Sequence, residues 1–251
     1  MQGTIYPSLK ERTVLVTGGG SGIGEAIVRQ FVGQGSRVGF IDVDVKASNQ
    51  LLASLPKANA HFEHADLRDI GALRRAVAAI REALGPITIL VNNAARDDRH
   101  SIEDVTPEYW DERIAVNLKH QFFAAQAVAP DMVQAGGGSI VNMGSVSWVI
   151  GQGNMPCYTT AKSAVQGLTR ALARDLGPKN VRVNSILPGW IMTQRQQDLW
   201  LTAEGEAEIM QRQCLKRKLV PDDIARTVLF FAADDSGACT NQNYIVDGGW
   251  V

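Results

Sequence analysis

Thr13-Val-Leu-Val-Thr17, running straight into Gly18-Gly-Gly-Ser-Gly-Ile-Gly24, is the stretch that decides the fold of this 251-residue chain. The first five residues are β-branched or apolar and stop at glycine, the pattern of a strand buried on both faces. Beyond the glycines, Ala26, Ile27, Phe31 and Val32 recur at helical spacing, which predicts a helix from Glu25 to Gly35. A glycine turn between strand and helix lets backbone N–H groups approach a pyrophosphate at the positive helix end. Taken alone, the spacing of Gly18, Gly22 and Gly24 also fits a tight turn with no ligand.

The same alternation continues on both sides of that turn. Strands are expected at Arg37–Ile41, Ala60–His64, Thr88–Val91, Ser139–Met143 and Val181–Ile186, with a last apolar segment at Asn243–Val246. Helical periodicity fills the gaps at Val45–Leu55, Asp69–Leu84, Thr106–Gln134, Cys157–Leu176 and near Pro221–Ala233. Strands separated by helices of this length imply parallel pairing with both sheet faces covered, so the fold class is α/β, a Rossmann-type doubly wound parallel sheet. No linker or repeat divides the chain, which therefore reads as one domain over residues 1–251. Its least regular stretch, Trp190 to Gln213, has the length and composition of a lid.

Composition narrows the function. The formal net charge of -1 leaves no basic surplus for nucleic acid or an anionic membrane surface. No apolar run reaches the roughly 18 residues of a membrane span, and Met1 to Thr13 lacks an apolar leader core. Cys157, Cys214 and Cys239 are odd in number and lack metal-ligand spacing, which points to free thiols in a cytoplasmic protein without a metal.

Asp42 ends the second expected strand, 24 residues after Gly18. An acidic side chain there can accept hydrogen bonds from an adenosine ribose, and it would repel a 2′-phosphate. No Lys or Arg within Gly18–Gly24 offsets that charge, so NAD is favoured over NADP. Tyr158 and Lys162 are four apart in a helical stretch and share one face. A phenol titrates near 10 and is a poor base at neutral pH unless a neighbouring ammonium favours its anion. The pair alone fits an ordinary helix surface. Ser145, just after the strand Ile140-Val-Asn-Met143, adds a hydroxyl at the carboxyl end of the sheet, where α/β folds bind ligands. Asn117 lies in a helical stretch, where asparagine is disfavoured, and is also consistent with a buried, satisfied amide.

Together these residues resemble the short-chain dehydrogenase/reductase family. The segments that carry the resemblance are the 17–24 loop, Asn92-Asn-Ala-Ala95, Ser145 followed thirteen residues later by Tyr158-Thr-Thr-Ala-Lys162, Pro188-Gly189 leading to Thr193, and Asp247-Gly-Gly249. Ala95 and Gly144 depart from the family's usual glycine and serine. The resemblance implies Tyr158 as general acid/base and Lys162 as the residue that lowers its pKa and holds the nicotinamide ribose. It implies Ser145 as the group that polarises the substrate oxygen and Asn117 as support for a water-linked proton relay. Cofactor contacts are implied at Gly18, Ser21, Gly22, Ile23, Gly24, Asp42, Asp66, Leu67, Asn93 and Thr193 besides Tyr158 and Lys162. A homotetramer is implied as well.

Substrate contacts should come from the segments after the fourth and fifth strands and from 190–213. Arg96, Ser147, Trp148, Asn154, Trp190 and Arg195 supply polar groups and indoles, which suit a polyhydroxylated ligand better than a steroid or acyl chain. The chain is similar here to bacterial sugar dehydrogenases that oxidise arabinose, galactose or fucose at C1 to the lactone. Arg96 and Arg195 leave a sugar acid or keto acid open. A 3-oxoacyl-carrier-protein reductase and a non-enzymatic NAD-binding regulator are the other readings. Asp42 argues against the first, and retention of the Ser, Tyr and Lys argues against the second.

Overall fold

In the computed structural model, Val14 and Val16 enter one hydrophobic cluster while Leu15 enters another on the opposite side of the sheet. That is the two-residue alternation of a strand carried into a molecule with helices on both faces. All five residues of β1 (Thr13–Thr17) are buried, and fully burying each apolar one is worth about 1.5–3 kcal/mol. The structure describes residues 3–56 and 59–251. Met1 and Gln2, at the head of the N-terminal stretch read above, lie outside the described residues, as do Lys57 and Ala58.

The remaining strands are β2 (Arg37–Asp42), β3 (Ala60–His64), β4 (Ile89–Asn92), β5 (Gly138–Met143), β6 (Val181–Pro188) and β7 (Asn243–Val246). They pair in parallel in the order β3-β2-β1-β4-β5-β6-β7. The chain runs outward from β1 to β3, then returns to add β4 on the other side of β1. That reversal opens a crevice beyond the carboxyl ends of β1 and β4.

One cluster collects α1 (Gly22–Gly33) and α9 (Pro221–Ala232); the other collects α3 (Ile70–Leu84), α5 (His120–Gln134) and part of α6 (Pro156–Leu176). Two further helices, α2 (Val45–Ala53) and α4 (Pro107–Ile114), complete the first two-thirds of the chain. Helix α1 starts at Gly22, three residues before the expected Glu25, because the glycines themselves turn into its first turn. The stretch expected as one helix from Thr106 to Gln134 is broken by a π-helical turn at Ala115–Lys119. The Asn117 amide takes the Arg113 carbonyl (3.0 Å) into its own hydrogen bond there, four residues back along the helix. The 190–213 segment is more regular than its composition suggests. It forms α7 (Gln194–Leu199) and α8 (Ala203–Arg212), capped by the Thr193 and Thr202 hydroxyls.

Candidate active site

A cleft of about 1030 Å³ runs along the crevice and collects residues that follow each of the first six strands. At one end lies the glycine loop. Gly18 has φ +65°, and a Cβ there would stand 2.7 Å from the Ala94 Cα; a Cβ on Gly24 would stand 1.8 Å from the Gly18 carbonyl oxygen. Only glycine lets the loop fold this tightly between β1 and β4. Asn93 staples the two strand ends together, donating from Nδ2 to the Gly18 oxygen (2.8 Å) while its own N–H reaches the Thr17 hydroxyl (3.0 Å). Ser21, at the N-cap of α1, makes no side-chain cap bond. The first N–H groups of that helix therefore remain available toward the cleft, which Ser21, Gly22 and Ile23 line.

The Asp42 carboxylate accepts from Gly20 N–H (2.8 Å) and Asp44 N–H (2.9 Å), so it is fixed at the cleft edge and braces the loop. Asp66 and Leu67 line the wall beyond β3. Arg68 beside them bonds Asp66 (2.6 Å) and also pairs with Glu112. That hydrogen bonding holds the Asp66 carboxyl below its usual range, against the opposing effect of its burial. Thr193 packs near Gly22, whose added Cβ would meet the Thr193 methyl at 3.2 Å. These residues fit a dinucleotide: an open helix start, a glycine cradle, and a carboxylate on the next strand.

At the other end, Ser145, Tyr158 and Lys162 line the cleft together. Pro156 opens α6, which puts Tyr158 in the helix's first turn and Lys162 one turn on, with its ammonium 5.7 Å from the phenol ring centre. Lys162 is 1% exposed and donates to the Met143 carbonyl (2.8 Å). Burial lowers its pKa to about 8, with Asp97 pulling the other way. Burial drives the Tyr158 phenol above its ordinary value and Asp97 adds to the rise. A hydrogen bond with the Ser145 hydroxyl and the Arg99 guanidinium oppose it. The sequence expectation was a depressed phenol. In this geometry desolvation and the Asp97 charge outweigh the favourable neighbours.

Asn117 lies behind the cleft wall, fully buried. Its Oδ1 accepts from Arg96 N–H (2.9 Å) and its Nδ2 donates to the Arg96 carbonyl (3.1 Å), so it fixes the backbone of the β4–α4 segment. His120, also fully buried, donates to the Ala94 carbonyl (3.0 Å). Burial, reinforced by the Lys162 charge, takes its pKa down to about 3 and keeps it neutral. The two departures from the family pattern are accommodated. Ala95 has no positive φ, and a Cβ on Gly144 would press at 3.2 Å on Leu187 and Ser185.

Of the expected substrate residues, Arg96, Ser147, Trp190 and Arg195 line the cleft, whereas Trp148 and Asn154 do not. Asn154 has φ +59° in the turn before α6 and belongs to a small neighbouring pocket with Arg99 and His100. Arg195 is tied to Asp98 (2.5 Å) and lies near Asp97 (3.5 Å), to which Gln196 donates at 2.6 Å. Sequence reasoning did not single out His64, Arg68 or Gln196, placed Asp97 only within the region expected to touch substrate, and did not expect Trp250 in the cleft; all five line it. The Thr193 cap would have disclosed the helix carrying Gln196. Nothing local marks Trp250, which arrives through the Gly248–Gly249 turn (φ +72° and +79°) after β7.

The chain belongs to the short-chain dehydrogenase/reductase family of oxidoreductases, whose members use a nicotinamide cofactor; a family model described as enoyl-(acyl carrier protein) reductase matches residues 18–251. Among its relatives is a protein of Rhizobium meliloti (strain 1021) named probable galactose dehydrogenase GalD, 51% identical over 97% of this chain and 96% of that protein. A D-xylose 1-dehydrogenase of Caulobacter vibrioides (strain NA1000 / CB15N) is 46% identical over the whole of both chains. A solved short-chain type dehydrogenase/reductase from Mycobacterium ulcerans superposes with a TM-score of 0.91 at 30% identity, covering 97% of this chain and 90% of that one. Among the described residues no helix is long and apolar enough to cross a membrane.

Proposed function

We propose that this chain oxidises an aldose at its anomeric carbon to the lactone, with NAD as the cofactor. The observation that carries the reading is the joining of Ser145, Tyr158 and Lys162 to a wall of hydroxyl, indole and charged groups in one cleft. Ser147, Trp190 and Trp250 belong to that wall. Indole faces can pack against the C–H faces of a sugar ring while the polar and charged groups around them meet its hydroxyls. Full-length similarity to galactose and xylose dehydrogenases supports the same substrate class.

When bound, the nicotinamide supplies the chemistry of accepting a hydride from the carbon being oxidised. The Tyr158 phenolate takes the proton of the anomeric hydroxyl, and Ser145 hydrogen-bonds the same oxygen. Lys162 holds its ammonium beside the phenol and passes the proton onward, in a relay whose backbone frame is set by Asn117. Asp42 favours NAD because its carboxylate is already fixed where a 2′-phosphate would carry like charge. Arg68 offers no free compensation, being paired with both Asp66 and Glu112. Residues 1–251 act as one unit with 190–213 as the lid, in a cytoplasmic homotetramer. The exposed Tyr244 and Ile245 of β7 suit burial between subunits.

The test is NADH formation over a panel of aldoses and sugar acids, with a Tyr158→Phe control. Galactose, arabinose, fucose or xylose should turn over, and the variant should lose about 10²–10⁴-fold while still binding NADH. Turnover indifferent to Tyr158 ends the reading. Equal efficiency with NAD and NADP removes the Asp42 argument, and light scattering decides the tetramer.

A further inference from the structure

Helix α6 carries both Tyr158 and Lys162, yet its start is poorly provided for. A helix leaves its first N–H groups without intrahelical partners, and a Ser, Thr, Asp or Asn at the N-cap ordinarily accepts one of them. The N-cap here is Met155, which makes no side-chain cap bond, and Pro156 follows it. The next N–H, that of Cys157, donates instead to the His100 Nε2 at 3.2 Å, an acceptor 57 residues away in sequence.

The surroundings of His100 fix its protonation pattern. An Nε2 that accepts must be the bare nitrogen, which puts the ring proton on Nδ1. Nδ1 faces the Asp98 carbonyl at 2.9 Å and the Tyr109 hydroxyl at 3.1 Å, both able to accept. The ring also meets Tyr109 edge-on, with centroids 5.0 Å apart. The His100 main-chain N–H bonds the Asn154 carbonyl (2.8 Å), pinning the turn that leads into α6. Every contact the imidazole makes therefore serves one neutral tautomer aimed at the helix start.

We propose that His100 is a positioning residue for the acid/base, its imidazole acting as the cap that sets the first turn of α6 and hence the place of the Tyr158 hydroxyl. Asp98 joins this cap to the lid. Its carbonyl holds the His100 ring, while its carboxylate holds Arg195 of α7 and Arg113 of α4 (2.6 Å). The proposal rests on the reading of Tyr158 as the acid/base, so wild type and Tyr158→Phe are compared first. If Tyr158 proves dispensable, that reading has failed, and the experiment on His100 is then judged by the NMR measurement below.

The variants are His100→Leu, which removes the acceptor, and His100→Gln, whose carbonyl can reach where Nε2 stood. His100→Leu should lower kcat for the sugar about tenfold, as loss of one cap would, with the KM for NAD unchanged. His100→Gln should recover most of that loss. NMR of isotope-labelled histidine in the wild-type protein should show Nε2 unprotonated and Nδ1 protonated. Equal kcat in the Leu variant, a Gln variant no better than Leu, or a proton on Nε2 would each overturn the proposal. Should His100→Leu fail to fold, the histidine spectrum and the Gln variant still decide it.

Discussion

The two ends of the cleft are built on different physics. The end at the glycine loop is held by backbone geometry, by hydrogen bonds between uncharged groups, and by one carboxylate, that of Asp42, which accepts from Gly20 N–H. Gly18 N–H meets the Ile41 carbonyl at 2.7 Å, Asn93 bridges the strand ends, and no cation stands between Gly18 and Gly24. The end at α7 is held by charges. Arg96, Asp97, Asp98, Arg113 and Arg195 form a chain of ion pairs from the β4–α4 segment to α7. Steric fit at a glycine leaves no room to adjust, whereas the half-exposed pairs of Arg96 and Arg195 with Asp98 are worth only about 0–1 kcal/mol each and respond to salt. The fold thus fixes one end of the cleft, where a nicotinamide cofactor fits, and leaves the other, where we propose that the substrate binds, adjustable.

The hardest way to strain that contrast is at Gly24. A Cβ there would lie 1.8 Å from the Gly18 oxygen and 2.7 Å from the Asn93 Nδ2, so neither loop nor staple could stay in place. Gly24→Ala should weaken NADH binding about a hundredfold, the upper range of what overpacking costs. Fluorescence titration of NADH reads the effect, and circular dichroism checks that the sheet survives. Unchanged affinity would mean that the loop is as adjustable as the lid.

A smaller effect is expected at Asp97, which bears on both members of the proposed proton-handling pair. Burial and then Asp97 raise the Tyr158 phenol. Oxidation needs the phenolate, so its rate should climb as pH rises through the alkaline range, while reduction, which needs the phenol, should fade over the same interval. Asp97→Asn removes one of the charges that oppose phenolate formation. The climb should then begin at lower pH, read from kcat/KM against pH for sugar oxidation. A profile that stays put, or moves upward, would show that Asp97 does not govern the phenol during turnover.

What could be read in the sequence divides along the same line. The glycine loop, Asp42 and the pair Tyr158–Lys162 were legible because they occur, with Ser145, in order along an alternating strand–helix chain; the spacing of the loop or of the pair alone fitted an ordinary turn or helix surface. The parallel pairing of the strands followed from helices of crossover length between them. The π-helical turn at Ala115–Lys119 was not legible, because residues 106–134 keep a helical pattern and Asn117, whose amide takes the Arg113 carbonyl there, is also held by Arg96, 21 residues away. Trp250 was not legible as a cleft residue, since nothing near it in sequence announces a turn back into the cleft. Asp97 and Asp98 stood within a segment expected to touch substrate, yet pairing partners as distant as Arg195 decide what they do. Short-range backbone chemistry is written in short stretches; charge pairing across the fold is not.

Arg195 gives the gentlest test of the contrast. Its side chain is 40% exposed and reaches Asp98 at 2.5 Å and Asp97 at 3.5 Å. Two half-exposed ion pairs should together hold α7 by no more than about 1 kcal/mol, so Arg195→Ala should raise the KM for the sugar about two- to fivefold. The KM for NAD should not move, because Asp42 and the glycine loop lie at the other end. In the wild type the sugar KM should rise with added salt as those pairs are screened, and in the variant that dependence should flatten. A salt response equal in both would place the sensitive charges elsewhere. A loss well beyond tenfold would mean that Arg195 meets the substrate itself, and the lid would then be part of the binding surface rather than the clasp that closes it.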